Sequence, residues 1–262
     1  MKKVKKIGLT MMAILITTPM IWAQNASEYK INMSSGRLLV SGVDEVRFEG
    51  SNGNEVILSN LEAMDAEDSE RAKGLRLING LGLDDNTGIG LNVQDKDGAK
   101  VVSQISRAGD GEYVIKVPKG VTVVYENGSV HGDDVVFKDI TGEIEVTTTH
   151  NDVRLDNVTG PMTISTVHGD IEGSFSSVNQ SNPISIISSH GDIDLAIPAN
   201  TKANLKISTS WGQIYSDLDI KLDRDQSSMK AYNQNDVVGK LGEGGVNFAI
   251  RSTHGSIYLR KK

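Results

Sequence analysis

One dipeptide recurs through the second half of the chain and restricts the folds open to it. His131-Gly132, His150-Asn151, His168-Gly169, His190-Gly191 and His254-Gly255 each sit between short runs of alternating apolar residues, and Trp211-Gly212 fills the same slot once. The chain has five histidines and all of them fall there. With the ring as origin, six and four residues earlier stand apolar pairs such as Ile144 and Val146, Met162 and Ile164, Ile184 and Ile186, Leu205 and Ile207, Phe248 and Ile250. Two residues earlier is a small hydroxyl: Thr148, Thr166, Ser188, Thr209, Ser252. Three residues later come Val153, Ile171, Ile193, Ile214 and Ile257. Spacing by two on both sides is the period of strands with one buried face, not of a helix.

The anchors at 131, 150, 168, 190 and 211 lie 19, 18, 22 and 21 residues apart, and the last gap, to 254, is 43. A unit of this length has two apolar stripes and cannot bury them alone; stacking the units buries them and pairs each backbone with the next. The expectation is an all-β fold, a β-solenoid or stack of β-coils of about 18–22 residues per rung, with rungs about 4.8 Å apart. Equivalent residues then form ladders of His/Trp, of Thr/Ser and of Asp (Asp133, Asp152, Asp170, Asp192).

Residues 1–23 read as a secretory signal peptide. A basic start (Met1-Lys2-Lys3-Val4-Lys5-Lys6) precedes an apolar run from Ile7 to Trp22, with Ala23 at its end. The exported chain loses those four lysines, and its formal charge moves from −7 to −11. Such acidity argues against a nucleic-acid partner and against an anionic membrane surface. No later stretch is long and apolar enough for a membrane span. Without cysteine the chain has no disulfides, no thiolate metal site and no cysteine nucleophile.

Along the chain, residues 24–112 read as a β-rich part continuous with the stack, and 113–262 as the repeat domain. Gln24 to Ile31 reads as a loose lead. Asn52-Gly53, between Val46-Arg47-Phe48 and Glu55-Val56-Ile57-Leu58, predicts a hairpin, and Asp97-Gly98 predicts a second. Leu61 to Ala72 is acidic and helix-permissive. Tyr113 to Pro118 and Asp194 to Pro198 are companion segments whose prolines mark strand ends. Around His131 the copy is shifted, because Asp133-Asp134 adds a residue. Residues 223–245 form a polar insertion that is expected to lie on one face.

The copies Thr149-His150-Asn151-Asp152-Val153, Val167-His168-Gly169-Asp170-Ile171 and Ser189-His190-Gly191-Asp192-Ile193, with the Pro118 and Pro198 strand ends, resemble a bacterial family of β-strand-repeat domains of unknown function. The family carries the label "putative adhesin" and is common in envelope proteins of Bacteroidetes. The resemblance covers residues 115–260, and Gly80 to Leu91 is similar to a lead-in that some members carry. It implies adhesion, and it brings no catalytic motif.

For chemistry the candidates are the ladders. Stacked imidazoles with an aspartate two residues on (His150, His168, His190 with Asp152, Asp170, Asp192) are the residue types of a transition-metal site. Trp211 in the same slot favours simple stacking, since indole does not ligate metals. The Gly-Asp corners lack the nine-residue glycine pattern of calcium β-rolls, so the aspartates are expected to face solvent or a counter-cation. A polysaccharide-processing β-helix enzyme would draw on Asp133, Asp152, Asp170 and Asp192 with Arg154, but repeat positions do not converge on one reacting atom. The expectation is a non-enzymatic exported protein of the periplasm or cell surface without cofactor or metal, whose partner is an envelope component or glycan. The alternatives are that enzyme, or an envelope-stress sensor.

Overall fold

A computed structural model of the chain describes residues 27–61, 71, 73–75, 78–80, 82–105, 111–223 and 235–262. Residues 1–23, on which the signal-peptide expectation falls, most of the acidic stretch after Leu61 and residues 224–234 of the insertion lie outside them. The named elements are 21 strands. They are β1 (Ser27–Ile31), β2 (Ser35–Ser41), β3 (Val46–Ser51), β4 (Val56–Asn60), β5 (Leu91–Lys96), β6 (Ala99–Gln104), β7 (Tyr113–Pro118), β8 (Gly120–Asn127), β9 (Val135–Lys138), β10 (Ile144–Thr148) and β11 (Val153–Val158). There follow β12 (Met162–Thr166), β13 (Ile171–Phe175), β14 (Ile184–Ser188), β15 (Ile193–Ile197), β16 (Ala203–Thr209), β17 (Ile214–Ser216), β18 (Lys221–Leu222), β19 (Asp236–Leu241), β20 (Val246–Ser252) and β21 (Ile257–Lys261).

The strands make two large mixed sheets. One has ten strands in the order β1-β4-β7-β3-β9-β11-β13-β15-β21-β17, the other eleven in the order β18-β19-β16-β20-β14-β12-β10-β8-β2-β6-β5. Each repeat gives one strand to each sheet, and the ring-Gly corner joins them. Equivalent residues pair in parallel: Ile144↔Met162↔Ile184↔Phe248 in one sheet, Val153↔Ile171↔Ile193↔Ile257 in the other. These apolar positions are fully buried between the sheets, each burial contributing about 1.5–3 kcal/mol. Strands from before and after residue 112 share both sheets, β2 pairing with β6 and β8, and β3 with β7 and β9.

The spatial order is not the chain order, which corrects the expectation of consecutive rungs. The β20/β21 rung lies between β14/β15 and β16/β17, so the last copy in sequence is next to last in space. At the other end the β2/β3 rung lies between β6/β7 and β8/β9. The chain therefore steps over one rung twice, from β7 to β8 and from β15 to β16. A step of two strand spacings covers about 9.6 Å. Pro118 and Pro198 stand at these two departures. Where the backbones cross, glycine is required for space: a Cβ on Gly120 would meet the Ser34 carbonyl oxygen at 2.6 Å, and one on Gly245 the Lys202 carbonyl oxygen at 2.6 Å.

Three further expectations change. The Asn52-Gly53 segment does not close a hairpin, because β7 lies between β3 and β4, pairing parallel with one and antiparallel with the other. The Asp97-Gly98 hairpin does form, as β5 against β6. Residues 27–31 are no loose lead but β1, antiparallel to β4. The described part of the insertion includes β19, antiparallel to β16, and β18 just before the insertion is antiparallel to β19, so this part extends a sheet edge. Gly173, which breaks the apolar pattern, leaves room for Leu155 and Leu195; a Cβ there would meet Leu195 Cδ2 at 2.9 Å.

Candidate functional site: the ring-Gly corners and the outer faces

The corner repeats as one hydrogen-bonded unit. The hydroxyl two residues before the ring accepts from the N–H of its own corner glycine: Gly169 N to Thr166 Oγ1 at 3.1 Å, Gly191 N to Ser188 Oγ at 2.9 Å, Gly255 N to Ser252 Oγ at 2.9 Å, Gly212 N to Thr209 Oγ1 at 3.1 Å. Three of these hydroxyls donate to the glycine carbonyl of the rung before: Ser188 to Gly169 at 3.3 Å, Ser252 to Gly191 at 3.0 Å, Thr209 to Gly255 at 2.9 Å. All are buried. Glycine is needed because a Cβ at 169, 191, 212 or 255 would land on the carbonyl oxygen of the preceding corner. Asn151 starts the series, and its amide packs against Gly132 and bonds to the Asp133 carbonyl.

The aspartate ladder is part of the same unit. Asp152 Oδ1 accepts from Asp170 N at 2.8 Å, Asp170 Oδ1 from Asp192 N at 2.7 Å, and Asp192 Oδ1 from Ser256 N at 2.7 Å. Each of these three carboxylates thus holds the backbone of the next rung in space through one oxygen, a role added to the expected exposure, since Asp170 and Asp192 do face solvent. Asp134, beside this series, forms an ion pair with Arg154 at 2.9 Å. Burial raises the Asp134 carboxyl above its ordinary value; Arg154 opposes the shift, and Asp152 and Asp133 add to it.

Four imidazoles stack in a column. Ring centroids are 4.7 Å apart for His150 and His168, 4.7 Å for His168 and His190, and 4.5 Å for His190 and His254, with interplanar angles of 27°, 12° and 9°. Trp211 follows in the next slot, its backbone N–H bonded to the Thr253 carbonyl as those of His168, His190 and His254 are bonded to the corner before them. His131 is not in the register. Val135 and Phe137 pair with Val153 and Leu155, so one residue is added after the ring as expected, but Asn127 pairs with Thr148, so two more are added before it. Parallel stacked rings keep their nitrogens at their own rims instead of turning them to one point. Among the described residues no group of three or more His, Cys, Asp or Glu is placed to hold a metal ion.

The outer faces differ. That of the eleven-stranded sheet is rich in hydroxyls (Thr147, Thr163, Ser165, Ser185, Ser208) and has a shallow depression near each end. One, of about 400 Å³, is lined by Ile187, Lys206, Asp236 and Arg251; the other, of about 470 Å³, by Arg37, Leu39, Lys96 and Glu126. The ten-stranded sheet has a ring pair that the sequence reading passed over. Tyr215 and Tyr258 stack at 5.2 Å and 9°, and Arg260 lies 5.8 Å from the Tyr258 ring while gripping Asp194 with three hydrogen bonds of 2.7–3.0 Å. The signal was present: both tyrosines stand four residues after a corner ring.

Among the described residues no helix is long and apolar enough to cross a membrane. No curated protein matches the chain. Among solved structures, a "putative cell adhesion protein" from Clostridium sporogenes is similar at 13% identity and TM-score 0.46, over 90% of this chain and 100% of that one. A "putative adhesin" from Bacteroides fragilis is similar at 11% identity and TM-score 0.30, over 92% and 98%. The family model described as Toastrack DUF4097 spans residues 25–260, taking in both sheets and every ring-Gly corner, and the chain belongs to that family.

Proposed function

We propose that the chain is a non-enzymatic, exported β-solenoid that binds another component of the bacterial envelope, in the manner of an adhesin. The observation that carries this reading is how the repeated polar residues are used. The corner hydroxyls, and one oxygen each of Asp152, Asp170 and Asp192, hold one rung to the next. What remains for a partner is a long, regular, hydroxyl-bearing outer face with a depression near each end. A surface of that kind suits repeated weak contacts over a wide area, whereas catalysis needs groups converging on one reacting atom. The formal charge, −7 for the full chain and −11 once the four leader lysines are lost, fits a polar partner better than an anionic one.

The test is a panel of envelope polysaccharides and envelope extracts, read for both retention and turnover. Saturable retention with no released oligosaccharide is the expected result. Release of oligosaccharide would make the chain an enzyme, and failure to retain any envelope fraction would end the binding reading.

A further inference from the structure

We propose that the open edge of β17 is a docking site for an extended peptide strand carrying an aromatic residue followed by basic residues. The inference rests on the binding reading above and names a polypeptide partner at one place. β17 ends the ten-stranded sheet, with β21 on one side and no strand on the other among the described residues. Ile257 N bonds to Gln213 O at 2.8 Å and Asp217 N to Leu259 O at 3.2 Å, so the odd-numbered residues point their backbone groups toward β21. By strand alternation Ile214 and Ser216 turn theirs to the open side.

The four sheet edges are not alike. β1 carries Glu28 and Lys30, β5 carries Asp95 and Lys96, and β18 carries Lys221, while β17 reads Ile-Tyr-Ser with no charge. Charged side chains are a usual guard against strand addition, and β17 lacks them. It has rings instead. Tyr215 has one face on Tyr258 and is 53% exposed; Trp211, on the same rung, is 77% exposed. The Tyr258–Tyr215 stack stops here with a free face.

The fold itself shows which sequence pairs with this edge. On its inner side β17 aligns Ile214 with Ile257, Tyr215 with Tyr258 and Ser216 with Leu259. Arg260 and Lys261 follow in β21, and Lys261 N bonds to Asp217 Oδ1 at 2.6 Å. A strand of the same pattern on the outer side would continue the backbone ladder, stack its ring on Tyr215, and bring its cations to the exposed Asp217 and Asp219.

The probe is a fluorescein-labelled peptide with the sequence Ser-Ile-Tyr-Leu-Arg-Lys, that of residues 256–261, titrated with the full chain and read by anisotropy. Saturable binding is expected. Ser216→Pro removes an outward N–H that β21 does not use, and Tyr215→Lys places a charge on the edge. Each should weaken binding about tenfold or more while far-UV circular dichroism stays that of the parent. Replacing the peptide tyrosine by serine should weaken it likewise. The proposal is overturned if the peptide does not bind, if a scrambled peptide binds equally well, or if both edge variants bind as the parent does. A dimer in sedimentation that Ser216→Pro dissolves would also overturn it, by giving the edge to a second copy. A chain that retains an envelope fraction yet ignores the peptide refutes this inference alone and leaves the binding reading standing.

Discussion

Ser188→Ala tests whether the corner hydroxyls hold the stack together. Ser188 is fully buried, and its Oγ takes part in two contacts: it accepts from Gly191 N at 2.9 Å and donates to Gly169 O at 3.3 Å. Alanine leaves the Gly191 N–H without its acceptor where water has little access, at a cost of about 1–3 kcal/mol, and gives up the second bond at about 0.5–1.5 kcal/mol. The expected loss is about 2–4 kcal/mol in urea unfolding, with the m-value unchanged, or a melting midpoint lower by about 5–12 °C. Ser188→Thr keeps the oxygen, as Thr166 does one rung away, and should cost less than about 1 kcal/mol. Ser185→Ala, on the outward face of the same strand, should stay within about 0.5 kcal/mol of the parent. A Ser188→Ala loss below about 0.5 kcal/mol, or a Thr variant as weak as the Ala variant, would refute the role given to the hydroxyl.

Four further outcomes follow. Asp85 is pushed up by burial, but bonds from Gly90 N, Thr87 N and Gly88 N and from the Thr87 hydroxyl outweigh this and hold its carboxyl below the ordinary 3.8. Its contribution is therefore whole above the unfolded value of about 3.9 and lost as pH falls through the folded one; urea midpoints between pH 5 and 2 should fall less steeply in Asp85→Asn. Burial, with the Asp85 charge adding, pushes the Tyr113 phenol up to about 12, and burial raises the Tyr125 phenol as well, so a spectrophotometric titration should show two late-ionising phenols and Tyr113→Phe should remove one of them. Gln180 ties the inserted rung in place through Lys202 O at 3.1 Å and Val246 N at 3.2 Å; Gln180→Ala should speed amide exchange at Val246 more than at Ile164. A chelator should leave the melting midpoint unmoved, since the carboxylates of Asp152, Asp170 and Asp192 already hold backbone N–H groups.

Much of the fold was legible because strand burial is a local pattern. The pairs at six and four residues before the ring, and the residue three after it, are those the structure buries and aligns in register. The corner was legible as a ladder but not as a mechanism. Asp170 is exposed, as its sequence suggests, but its bond to Asp192 N was hidden there because that partner is 22 residues away and belongs to another rung. The Asn52-Gly53 hairpin failed for a related reason. Turn chemistry reports that the chain reverses, and nothing local tells that β7, more than fifty residues later, will take the place between β3 and β4. Tyr215 escaped notice because one ring on an outward strand position is ordinary; its stacking on Tyr258 depends on which rung lies next to which.

Rung order is the piece that no spacing rule supplies, and it has an energetic meaning. In a solenoid whose rungs add in chain order, every interface joins neighbours in sequence. Here β14 pairs with β20, so Ile184 lies beside Phe248, while β16, the next strand of that sheet in the chain, lies one place further out. Without the β20/β21 rung, the flanking rungs would be left two strand spacings apart, about 9.6 Å, too far to pair with each other. Three rungs at that end therefore stand or fall together, and the β2/β3 rung binds its neighbours at the other end in the same way. The 43-residue gap before His254 measures the path the chain takes, while the 4.5 Å between His190 and His254 measures where that path returns. Trp211 fills the slot at the outer end of the column because the rung that precedes it in space comes after it in the chain.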